Sequence, residues 1–115
     1  MELAYRELEN GIRMFKLIGK LDNDGVGTIE SKFVSHCAGQ QVKVLVDLSE
    51  LDFLTLTGCQ LLLWNAKEVT SRGGRFVLLT PTSSVEQVLD EASIKEWCPI
   101  YSDFDTATSF LLAVN

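Results

Sequence analysis

Two short runs dense in apolar and β-branched residues, 42–48 (VKVLVDL) and 75–80 (RFVLLT), bracket a stretch of helical periodicity. No other feature constrains the chain as much. Runs without polar alternation read as strands covered on both faces. Between them, residues 57–72 set Cys59, Leu62, Leu63, Ala66 and Val69 on one helical face, and Gly73-Gly74 closes the helix with a residue free to take positive φ. Two strands joined by such a helix are expected to pair in parallel through a right-handed crossover. Pro81 stops the second run, because proline brings no N–H to a ladder.

The flanking segments follow the same logic. Asn10-Gly11 separates two short strand-like segments, 5–9 and 12–18, and predicts a hairpin because both residues tolerate positive φ. Residues 19–27 (GKLDNDGVG) read as a polar loop. Val26, Ile29, Phe33 and either Val34 or Cys37 then recur at helical spacing up to Gly39. Ser83 or Ser84 caps a helix running to about Ala92, and residues 97–101 (WCPIY) suit a small edge strand. A last helix is expected to start at Ser102, three residues before Asp105, with Phe104, Ala107, Phe110, Leu111 and Val114 on its apolar side. The expected class is α/β, with one domain over residues 1–115.

Charge and composition exclude several functions. The net charge of −6 opposes phosphate backbones, so no nucleic acid partner is expected. The apolar runs fall far short of the ~20 residues that span a bilayer, so no direct membrane insertion is expected. The N-terminal MELAYRELENG does not read as a signal peptide, and a cytoplasmic location follows. Cys37, Cys59 and Cys98 form no CxxC pair, and His36 is the single histidine, so the thiols read as small buried apolar groups rather than zinc ligands. Trp64 and Trp97 are either partly buried or anchors for a partner.

Catalysis needs a constellation, and none is legible. His36 has no triad motif near it. Asp22, Asp24, Asp47 and Asp52 lie in predicted loops or strand ends without the spacing of a cation-binding loop. Gly73-Gly74 follows a helix instead of opening one, so it is not a phosphate cradle. No cofactor is expected. The one chemically poised group is the hydroxyl of Thr57, at a Thr-Gly step into the central helix. There it either caps the helix or carries a phosphate where the helix dipole favours negative charge.

The segments VLVDLSELDFLTLTGCQLLL (44–63), RGGRFVLLTP (72–81), GKLDNDGVGTIE (19–30) and IKEWCPIY (94–101) together resemble the STAS domain. That family includes bacterial anti-sigma-factor antagonists and the cytoplasmic ends of sulfate transporters. The resemblance covers residues 11–112. It implies a mixed sheet of four or five strands, about four helices packed mainly on one face, and no catalytic activity. In the antagonist branch, a serine just before the glycine that opens the second helix is phosphorylated by a serine/threonine-kinase-like partner that is also the anti-sigma factor. Carried over, Thr57 is the phosphoacceptor and Gly58 the matching glycine. The implied partner surface comprises Asp22, Asn23, Asp24 and Gly25, with Phe53, Leu54, Thr55, Leu56, Gly58 and Gln60, and a phosphatase is a further candidate partner. The usual Asp-Ser-Ser-Gly is here Thr55-Leu56-Thr57-Gly58, and Gln60 stands where glycine is common. An alternative is a constitutive STAS subunit bracing an ABC lipid transporter. A third reading is a sensor of nucleotides or other small ligands.

Overall fold

In the computed structural model, which describes residues 1–113, the chain doubles back at the Asn10-Gly11 step. Gly11 takes φ of 86°, and the amide of Leu8 donates to the carbonyl of Ile12 at 2.8 Å. Both hairpin strands are longer than the sequence suggests, the first lying earlier and the second running on later: β1 is Glu2–Glu7 and β2 is Arg13–Leu21. They pair antiparallel, Glu2 opposite Ile18 through Glu7 opposite Arg13. Residues 19–27 are therefore not a loop. Gly19, at φ 104°, kinks β2 onward, and helix α1 (Asn23–Cys37) starts directly after it. The polar residues that suggest a loop are there to cap: Asp22 accepts from the Gly25 amide at 2.8 Å.

The central unit forms as its apolar runs require. Strand β3 (Lys43–Asp47) lies parallel to β5 (Arg75–Leu79), with Lys43 opposite Arg75 and Asp47 opposite Leu79, and helix α2 (Leu56–Ser71) crosses between them. Both strands are covered on both faces. Val44, Val46, Phe76 and Leu78 point into the core beneath α1, α2 and helix α3 (Ser83–Glu91), whereas Leu45 and Val77 meet Ala107 and Leu111 of helix α4 (Phe104–Leu112). Three helices thus share one face and α4 takes the other.

Between β3 and α2 the chain forms a further strand, β4 (Leu51–Leu54), paired parallel with the end of β2 at Gly19–Leu21. With the two-residue β6 (Ile100–Tyr101), the sheet has six strands, one more than the resemblance implies. Five run in the order β1-β2-β3-β5-β6, and β4 branches from β2. Trp97 lies outside β6, after a single 3-10 turn at Ile94–Glu96.

The helix starts also differ from expectation. Thr82 caps α3, not Ser83 or Ser84, and Asp103 caps α4, not Ser102, accepting from the Thr106 amide at 2.8 Å. In α1 the inward position falls to Cys37, leaving Val34 exposed. Val114, placed above on the apolar side of α4, lies outside the described residues. No helix among the described residues is long and apolar enough to cross a membrane.

Candidate functional site

The end of β2 stitches the two helix starts together. Leu21 is the last residue before the α1 cap, and its carbonyl accepts from both the amide (3.2 Å) and the hydroxyl (3.3 Å) of Thr55. Thr55 in turn caps α2, with its hydroxyl oxygen accepting from the Gly58 amide at 3.4 Å. The N-cap is therefore Thr55 and not Thr57, a correction of two residues. Thr57 occupies the second position of the first turn, half-buried, and its hydroxyl has no hydrogen-bond partner among the described residues. The hydroxyl is thus free of any capping duty.

Close approach explains the glycines. A Cβ on Gly58 would lie 2.5 Å from the Leu21 carbonyl oxygen and 2.7 Å from Leu54 Cδ1. A Cβ on Gly25 would collide with the Lys20 carbonyl. Both helices start hard against the β2–β4 edge, so their N-termini converge. The first turn of α2 contains no acidic side chain, and that of α1 contains Asp24.

The two segments singled out from the sequence thus come together at one corner. Asp22 is the α1 cap, and Asn23, Asp24 and Gly25 form its first turn. Phe53 and Leu54 end β4. Phe53 is 50% exposed, while Leu54 is buried in the core. Leu56, in the first turn of α2, is 65% exposed, and Gln60 is exposed one turn on. Gly25 and Gly58 are buried and contribute backbone alone.

A groove of about 520 Å³ runs from this corner between α1 and α2. Val26, Glu30 and Val34 line one wall, and Thr57, Gln60 and Trp64 line the other. Trp64 is 64% exposed, and Trp97 is exposed as well, covered at 5.0 Å by the Lys67 ammonium. Neither tryptophan belongs to the core. Sequence reasoning left Val34 and Cys37 open as the inward residue, which the structure settles for Cys37, and it missed Thr55 as the cap. The Thr-x-x-Gly spacing was the available signal for the cap, because an N-cap oxygen accepts from the amide three residues on.

The remaining candidates for chemistry are accounted for by structure. His36 stacks on Tyr5 with ring centroids 3.8 Å apart. Asp47 accepts from the Ser49 amide at 2.9 Å. Burial pushes the thiols of Cys37 and Cys98 up to about 12 and that of Cys59 to about 11, so all three are protonated near neutral pH. Among the described residues, no group of three or more His, Cys, Asp or Glu side chains could hold a metal ion.

A mixed sheet with an antiparallel hairpin at one end, three helices on one face and a fourth on the other defines a class of small α/β domains. The sequence matches the STAS domain family over residues 6–107, and the chain belongs to that family. Solved structures agree on the fold. The anti-sigma-factor antagonist SpoIIAA in its unphosphorylated form superposes with a TM-score of 0.80 at 22% identity, covering 99% of this chain and 100% of that one. A STAS domain protein from Planctomyces limnophilus gives 0.84 at 22% identity, covering 96% and 98%. The murine Solute Carrier 26 family member A9 anion transporter gives 0.76 at 14% identity, covering 90% of this chain but only 18% of the transporter. A comparison with curated protein sequences finds no match.

Proposed function

We propose that this chain is a non-catalytic docking module of the anti-sigma-factor-antagonist type, switched by phosphorylation of Thr57. The observation that carries the reading is the Thr57 hydroxyl itself. It is unengaged, it lies in the first turn of α2 directly after the exposed Leu56, and the exposed Phe53 lies on the strand that leads into that helix. The partner is a serine/threonine-kinase-like anti-sigma protein, with a phosphatase reversing the modification. Unmodified, the corner at Asp22–Gly25 and Phe53–Gly58 and the outer side of α2 bind the partner. A phosphate adds about −1.5 to −2 charges. Two converging helix N-termini tolerate that charge, so the fold persists. The interface does not, because an apolar partner surface would have to desolvate a dianion.

The test compares Thr57→Glu with Thr57→Ala in binding to a kinase-type partner purified from the native cells. Glu is expected to weaken binding by about tenfold, or about 1.4 kcal/mol, and Ala by much less, with both variants melting near wild type. Equal binding by all three would remove the switch.

One observation favours a second reading. Leu56 stands where the antagonists carry serine, and with Trp64 it leaves an apolar strip on α2. Such a strip suits a constitutive subunit of a larger assembly, such as a membrane-associated ABC transporter. A native pull-down that retains an ABC ATPase instead of a kinase-like protein would favour it.

A further inference from the structure

Strand β1 is the outer strand of the sheet. It pairs with β2 along its whole length, and among the described residues its other edge has no partner. The strand is held firmly, since Tyr5 stacks on His36 of α1 and packs against Phe15. Helix α4 packs against β3, β5 and β6, toward the opposite end of the sheet. The result is an ordered six-residue template of backbone donors and acceptors.

Charged residues on an edge strand ordinarily keep other chains away. In β1 the charges are placed differently. Glu2, Ala4 and Arg6 share one face of the strand, while Leu3 and Tyr5 face α1 and the core. On β2, the residue opposite Glu2 is Ile18 and the residue opposite Arg6 is Met14. Neither charge is answered across the strand, and neither forms an ion pair among the described residues.

We infer that β1 pairs antiparallel with β1 of a second copy, about a two-fold axis through Ala4. In that register Glu2 faces the second copy's Arg6, Leu3 faces its Tyr5, and Ala4 faces Ala4. The two-fold repeats each pair, so both charges on both copies are answered. The small Ala4 side chains meet at the axis, and the apolar Leu3–Tyr5 pairs lie on the α1 side. Opposite charges directly across an antiparallel ladder attract, and like charges repel. A shift of one residue would set Glu2 against Glu7 and turn the helical face of one copy to the other side. The interface is isologous and closed, giving a dimer with one continuous sheet and no path to fibres through this edge.

Sedimentation equilibrium tests the inference, on protein with a free N-terminus at about 1 μM to about 1 mM, the range in which weak edge pairing registers. The apparent mass should rise from 12.8 kDa toward twice that value. Glu2→Arg and Arg6→Glu should each hold the protein at the lower mass while leaving the circular-dichroism melt unchanged. The double variant should associate again. An equimolar mixture of the two single variants should also associate, because each cross-strand pair is then one acid and one base. A wild type that stays at 12.8 kDa throughout overturns the inference. So does a dimer that persists in both single variants, which would place the contact on another surface.

Discussion

Two threonines two residues apart carry different duties. Thr55 is engaged twice, donating its hydroxyl to the Leu21 carbonyl and accepting from the Gly58 amide. Thr57 is engaged by neither. The physical difference is the phase of the helix start: an N-cap side chain reaches the amide three residues on, and Thr57, two positions later, lines the groove between α1 and α2 instead. Thr55→Ala is therefore expected to destabilise the fold by about 1 kcal/mol, and Thr57→Ala by about 0.5 kcal/mol or less, as for surface positions generally. Urea titration of both variants measures this. A larger loss at Thr57 would mean that its hydroxyl is structural. The proposed switch gains from the separation, because a residue that is not the cap can be modified without uncapping the helix.

At the scale of elements, the site exists because α1 and α2 both start against the β2–β4 edge. That contact depends on two buried glycines. At Gly58, a methyl group would press on the Leu54 side chain and on the Leu21 carbonyl, which is backbone held in the sheet and cannot swing away. Gly58→Ala should therefore cost about 1–3 kcal/mol, the usual range for overpacking, and weaken partner binding by displacing the first turn of α2. Thermal melting reads the first effect. A variant as stable as wild type would show that the helix start can shift freely. The far end of α1 is fastened by cations: Arg13 donates to the carbonyls of His36 (3.0 Å) and Ala38 (2.6 Å), and Arg72 donates to those of Cys37 (3.0 Å) and Gly39 (2.9 Å). These bonds satisfy last-turn carbonyls that have no helical partner and complement the negative end of the dipole. The groove between α1 and α2 thus has both ends held in place.

For the whole molecule, the relevant quantity is how completely the core excludes water. All three thiols lie in it, and burial raises each above its ordinary value of 9.0. A group with a raised folded-state pKa favours the folded state while protonated. The contribution of the thiols is therefore whole below pH 9 and is lost as pH climbs from 9 toward 11 for Cys59 and 12 for Cys37 and Cys98. A disulfide-exchange reagent at pH 8 should label none of the three in the folded protein within minutes, and all three after unfolding in guanidinium. Immediate labelling of a native thiol at pH 8 would mean that the core opens locally, far more easily than its packing implies.

The sequence by itself determined the middle of the molecule. The runs at 42–48 and 75–80 hold consecutive apolar residues at Val44–Val46 and Phe76–Leu79, so no strand facing water on one side could accommodate them, and β3 and β5 pair in parallel as expected. The Asn-Gly hairpin and the face of α2 that turns inward were legible for the same reason, since each rests on a local period or on a conformation that few residues adopt. The Thr57 region was legible as a helix start, but its phase was not. Residues 51–54 alternate too briefly to announce a strand, and β4 forms because the end of β2 offers it an unpaired ladder. Residues 19–27 are polar because they cap and turn, a use of polarity that looks like a loop until the partner amides are in place. Val34 and Cys37 compete for the same face of α1, and only the position of the sheet beneath decides between them. The meeting of Asp22–Gly25 with Phe53–Gly58, some thirty residues apart in the chain, is likewise a product of tertiary structure. It follows from strand pairing, which no local pattern encodes.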